Sequence, residues 1–138
     1  MCIRDRSYHT PEEDAEFRAA LAVITECYLT ARVLILLDNT YFGRFWTLME
    51  AWCAMQTTTP NGVRPATLEE ARYSIVCLHN ARRDRDPAKL VDLVSTKTPE
   101  EMRAVLASPD VCVTNARDKA LFLPAVADAD RRVRRLAE

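Results

Sequence analysis

Residues Val33–Gln56 read VLILLDNTYFGRFWTLMEAWCAMQ, and the reading of this stretch decides the fold. It opens on an unbroken aliphatic run, Val33 to Leu37. A run that apolar, without alternation, predicts a strand covered on both faces, as in a parallel sheet. Asp38-Asn39-Thr40 breaks it with turn-forming and capping chemistry. A helix is expected next, from about Gly43 to Gln56. On the helical period Phe45, Leu48, Met49, Trp52 and Gln56 share one face. Trp46 and Cys53 fall at its margin, and Glu50 lies one turn beyond Trp46 on that same margin. A carboxylate at the edge of an apolar surface, beside an indole, is the place in this chain that suggests more than packing.

Upstream, Thr10-Pro11-Glu12-Glu13 has the form of a capping box with proline in the first turn. It predicts a helix from Pro11 to about Leu29, with Phe17, Ala20, Leu21, Ile24 and Tyr28 on one face. Ala31-Arg32 then leads straight into the strand, a connection as short as layered folds use. Met1–Arg6, MCIRDR, resembles a translated sequencing-adapter artefact and is expected to be a non-native terminus.

Downstream, Thr57–Pro65 carries threonines, Asn61-Gly62 and two prolines, and reads as a loop. Ser74–Leu78 is a second apolar strand. Arg82–Asp86 is a charged, solvated loop, and Asp86-Pro87 restarts a helix burying Leu90, Val91 and Val94. Thr98-Pro99-Glu100-Glu101 repeats the capping pattern and begins a helix carrying Met102, Val105 and Leu106. Val111–Thr114 is read as a third short strand. Asn115 caps a last helical region, interrupted or restarted at Pro124, with arginines crowding its end. Strands alternating with helices predict a parallel sheet with helices on both faces.

Composition narrows the function classes. The formal net charge is −1, which offers no electrostatic attraction for nucleic acid or an anionic membrane. No apolar run approaches the ~18–20 residues of a membrane span. Five widely spaced cysteines read as buried thiols in a reducing compartment, which predicts a cytoplasmic protein. Two glycines leave no room for a Gly-rich phosphate loop. His9 and His79 have no ligand spacing, so no metal site is expected.

The order strand, polar turn, Tyr, small residue, then Trp-x-x-x-Glu resembles the middle of Toll/interleukin-1 receptor (TIR) domains. The residues that carry the likeness are Leu37, Asp38, Tyr41, Trp46 and Glu50. Thr47 and Ala51 stand where that family often has Cys and Leu. SIVCLHNA at 74–81, KTPEE at 97–101 and PDVCVTN at 109–115 also resemble uncharacterised TIR-like proteins of eukaryotic microbes. The resemblance implies a partial flavodoxin-like three-layer α/β fold. Strands 33–37, 74–78 and 111–114 would be its third, fourth and fifth, with residues 7–138 forming one TIR-like domain that lacks its N-terminal strands.

The functions implied are two. One is a protein-interaction and assembly module of a signalling or defence-type protein, partnered by other TIR-like domains or by itself. The other is cleavage of nicotinamide adenine dinucleotide (NAD) as a substrate, with no cofactor. There Glu50 matches the catalytic glutamate of the NAD-cleaving members, and Trp46, Asp38 and Tyr41 are the candidate substrate-binding residues. Its carboxylate would stabilise the cation formed as nicotinamide leaves. A third possibility is a flavodoxin-like regulator that binds a nucleotide without turnover. Each residue also has a plain structural role open to it: core packing for Trp46 and Trp52, turn and cap for Asp38, Asn115 and Tyr41, and a structural histidine at 79.

A consequence follows for the first strand. In the order 2-1-3-4-5 a third strand sits between the first and the fourth. Without the first, Val33–Leu37 has an aliphatic open edge, an aggregation hazard unless another chain or the segment near Ser7–Thr10 covers it.

Overall fold

The computed structural model describes residues 10–138. The non-native reading of Met1–Arg6, together with Cys2 and His9, lies outside the described residues. In chain order the elements are helices α1 (Pro11–Ala22) and α2 (Ile24–Thr30), strand β1 (Val33–Leu37), a 3-10 turn at Tyr41–Gly43, helix α3 (Phe45–Ala54), strands β2 (Gln56–Thr59), β3 (Gly62–Pro65) and β4 (Tyr73–Cys77), then helices α4 (Asp86–Val94), α5 (Pro99–Ala107), α6 (Ala116–Ala127) and α7 (Ala129–Leu136). The fold is mixed α/β.

β1 and β4 pair in parallel, with Ile35 opposite Ile75, and form a sheet of two strands. Helix α3 lies at the centre of the packing. Phe45, Leu48, Met49, Ala51, Trp52, Cys53 and Ala54 are all buried, so almost the whole circumference of the helix is covered. Its neighbours are α2, α4, α5 and β2. The helix stops at Ala54, and Gln56 opens β2, where its amide donates to Ser95 O at 3.0 Å.

The sheet departs from expectation in coverage. Ile35 and Leu37 are buried, but Leu34 is 63% exposed, Leu36 50% and Val76 44%. The aliphatic run is therefore covered on one face only, because among the described residues no helix packs over the other. The third strand also differs. Val111–Thr114 does not join the sheet and makes a single parallel bridge, Cys112 to Arg44. Phe45 N–H donates to Cys112 O at 2.9 Å, and Cys112 N–H to Gly43 O at 2.7 Å. Helix α3 has no side-chain cap at Arg44, and the 111–114 segment answers that need by laying a carbonyl across the helix start.

Thr57–Pro65 is an antiparallel hairpin rather than a loop, with Thr59 opposite Gly62 across Pro60-Asn61. Its threonines suit extended backbone, and the turn residues fall where a hairpin needs them. Gly62 has φ 128°, and a Cβ there would meet Asp130 Oδ1 at 2.4 Å. That same oxygen accepts from Val63 N–H at 2.8 Å, so the hairpin docks on α7 through a position that requires glycine.

The expected helix from Pro11 to Leu29 breaks at Val23, and α1 contains no buried residue. Both capping boxes form, Thr10 with Glu13 and Thr98 with Glu101. Asn115 caps α6, its Oδ1 accepting from Arg117 N–H at 3.0 Å. Pro124 lies inside α6, and the break falls later, at Asp128. Of the cysteines, Cys53 is buried and Cys77 half-buried, while Cys27 and Cys112 are exposed, against the reading of all as buried thiols.

Arg72 joins these elements. Its guanidinium donates to Ala31 O at 2.5 Å and Tyr28 O at 3.3 Å at the end of α2. It also donates to Gln56 O at 2.8 Å and Cys53 O at 3.4 Å, where α3 gives way to β2. The carbonyls at the end of α2 and at the α3–β2 junction thus share one cation.

Candidate functional site

Glu50 projects from α3 into a partly buried position. Its carboxyl is pushed above the ordinary glutamate range, first by desolvation. A hydrogen bond from the Tyr28 hydroxyl and the positive field of Arg44 act in the opposite, smaller sense. Tyr28 itself is pushed up to about 12, by burial and then by the Glu50 charge. Tyr41 is buried and also raised, for the same two reasons in the same order. Cys53, fully buried, has its thiol pushed up by desolvation with Glu50 adding to it, so it is not a thiolate nucleophile.

The structure therefore brings together a shielded carboxyl, two phenols and an arginine from α2, the 3-10 turn and α3. Such a carboxyl, with a phenol and a guanidinium in its field, can accept or deliver a proton and can stabilise a nearby cation. Asp38 sits at the carboxyl end of β1. Its Oδ1 accepts from Thr40 N–H at 2.9 Å and from Thr40 Oγ1 at 2.7 Å. These bonds hold its carboxyl pKa below the usual aspartate range, with a small contribution from Arg44. Arg44 is thus the shared countercharge of Asp38 and Glu50.

Trp46 turns its ring elsewhere. It stands edge-on to Phe45, with centroids 5.5 Å apart, and to Phe122 of α6, at 4.8 Å. Its aromatic contacts tie α6 to α3. Asn39 N–H donates to Asn80 Oδ1 at 3.3 Å, which joins the loops that follow β1 and β4. His79 is exposed in the second of these loops with φ 49°. Asn115 is occupied as the α6 cap.

Sequence reasoning missed Tyr28 and Arg44 as partners of the carboxylate. The helical period places Tyr28 only on the apolar face of the first helix, and no local pattern connects it to a residue 22 positions later. A shallow open groove of about 390 Å³ runs beside Tyr28, lined by Ile24, Cys27, Ala31, Arg32, Val33 and Leu34. Among the described residues no group of three or more His, Cys, Asp or Glu is placed to hold a metal ion. No helix among them is long and apolar enough to cross a membrane.

The shifted carboxyl gives a signed prediction. A raised folded-state pKa means that the folded chain binds the Glu50 proton more tightly than the unfolded chain. That contribution is fully present below the ordinary glutamate value and is lost as pH rises through the raised one. Glu50→Gln is therefore expected to stabilise the chain relative to the parent at neutral pH. The gain should shrink toward zero in acid solution, as urea melts of both proteins across that range would show. A constant difference at all pH values would mean that the carboxyl is not shielded.

No family model, curated protein or solved structure matches this chain.

Proposed function

We propose that the chain is a TIR-like interaction and assembly module of a signalling or defence-type protein, with a partial flavodoxin-like sheet. One observation supports this reading most. Among the described residues strand β1 has no partner on its outer edge, and Leu34, Leu36 and Val76 leave an aliphatic sheet face open to solvent. An exposed strand edge with such a face is a template for association. The module is expected to self-associate with rising concentration in sedimentation velocity. Leu36→Lys should weaken that association at least about tenfold while leaving the melt nearly unchanged, since Leu36 is exposed. A chain that stays monomeric at high micromolar concentration would remove the reading.

A second reading rests on a different observation, the shielded Glu50 carboxyl with Tyr28 and Arg44 around it. It is NAD hydrolysis with Glu50 as the catalytic residue and Asp38, Tyr41 and Trp46 near the substrate. Nicotinamide release from NAD by an assembled sample, abolished in Glu50→Gln, is the expected result. No release from either protein ends this reading and leaves the first untouched.

A further inference from the structure

We infer that β1 pairs with β1 of a second copy, antiparallel about Ile35, to give one continuous sheet in the order β4-β1-β1-β4. The inference rests on the assembly reading and specifies its geometry. Among the described residues β1 is bonded only to β4. Val33 N–H donates to Arg72 O, and Leu37 O accepts from Leu78 N–H, each at 2.8 Å. Odd-numbered residues therefore turn their backbone groups toward β4. Strand alternation leaves the N–H and C=O of Leu34 and Leu36 aimed at the open edge. Nothing in VLILL blunts that edge: it has no proline, no glycine and no charge. An open groove lies at its N-terminal end, lined by Val33 and Leu34 together with α2 residues.

The charges choose the occupant and its direction. Arg32 and Asp38 bracket the strand at equal distances from Ile35. In an antiparallel pair centred there, Leu34 lies opposite Leu36 of the second copy, and Arg32 lies opposite its Asp38. All four positions carry even numbers; strand alternation continued one residue past each end of β1 would set Arg32 and Asp38 on the open face with the exposed leucines. Leu34 and Leu36 face one another as hydrogen-bonded pairs, which matches the direction of their free backbone groups. A parallel pair would instead set Arg32 against Arg32 and Asp38 against Asp38, which is repulsive. Arg32 is exposed and has no ion pair among the described residues. The bonds to Asp38 from Thr40 use Oδ1, which leaves Oδ2 for a guanidinium. Two copies related in this way meet through the same patch on each, so the pairing closes on itself.

The test is a charge exchange read by sedimentation velocity on the full chain. Arg32→Asp and Asp38→Arg each turn both ion pairs repulsive and should weaken self-association at least about tenfold. The double exchange should restore it. An equimolar mixture of the two single variants should associate as well as the parent, because each then meets its complement twice. Asp38→Arg also removes the turn to Thr40, so the mixture is the decisive arm: only two folded chains can rescue one another. Hydrogen exchange should show the Leu34 and Leu36 amides protected in the assembled sample and open in dilute monomer. Association that ignores all the exchanges, yet falls with Leu36→Lys, overturns this pairing and leaves the assembly reading standing. A mixture no better than its parts overturns it also. So does a monomer whose Leu34 and Leu36 amides are already protected, since a segment of the same chain would then hold the edge.

Discussion

Replacing Trp52 by alanine is expected to cost about 3–5 kcal/mol of folding stability. That is a large part of the ~5–15 kcal/mol by which a domain of this size is stable. Trp52 is 0% exposed and lies in the last turn of α3, the helix around which the other elements pack. Removing the indole takes apolar surface from the core and leaves a void that buried neighbours on several elements cannot close at once. The indole N–H adds a second effect. It donates to Lys97 O at 2.9 Å, in the turn that joins α4 to α5. Trp52→Phe keeps most of the packing and deletes that donor, so it should cost less, about 1–3 kcal/mol for the stranded carbonyl plus a small volume term. Urea denaturation of both variants separates the two contributions. An alanine variant within about 1 kcal/mol of the parent would mean that α3 is not the centre of the core.

Arg72→Met is expected to destabilise by about 2–4 kcal/mol, and Arg72→Lys by nearly as much. Arg72 is partly buried, and desolvation lowers its guanidinium pKa. It remains paired because four carbonyls converge on it, two at the end of α2 and two where α3 gives way to β2. Hydrogen bonds from a charged donor contribute about 1.5–3 kcal/mol each, but bonds to one group are not additive and the burial of the charge opposes them. A methionine fills the stem's volume and leaves the carbonyls bare. A lysine places one point charge where a planar fork is needed. The same residue also sets the sheet, because Arg72 O accepts from Val33 N–H at 2.8 Å and so starts the β1–β4 register. Both variants should therefore lose hydrogen-exchange protection first in β1. A lysine variant as stable as the parent would show that charge alone, without the fork, holds the helix ends.

Local signals were legible because they are complete within a few residues. Thr10 with Glu13, Thr98 with Glu101 and Asn115 with Arg117 each close a cap inside one turn, and each forms as read. The aliphatic run of β1 and the helix after Asp38-Asn39-Thr40 needed only composition and period. The hairpin at Gln56–Pro65 escaped notice because polar threonines mask a strand whose turn was visible. Val111–Thr114 misled for the opposite reason. Its apolar residues suit a strand, but its backbone is taken by the uncapped start of α3, some 67 residues earlier by the Phe45–Cys112 bond.

By itself, then, the chain determined its elements: where helices cap, where β1 begins and ends, and that Glu50 stands beside an apolar surface. Tertiary structure alone decided what covers them. The face of β1 that carries Leu34 and Leu36 is left open, and Glu50 gains Tyr28 and Arg44 as partners, because contact depends on which distant segments arrive at the same place. Backbone preference is a property of neighbours in sequence. Burial, and with it the shift of a carboxyl or the freedom of an edge, is a property of neighbours in space.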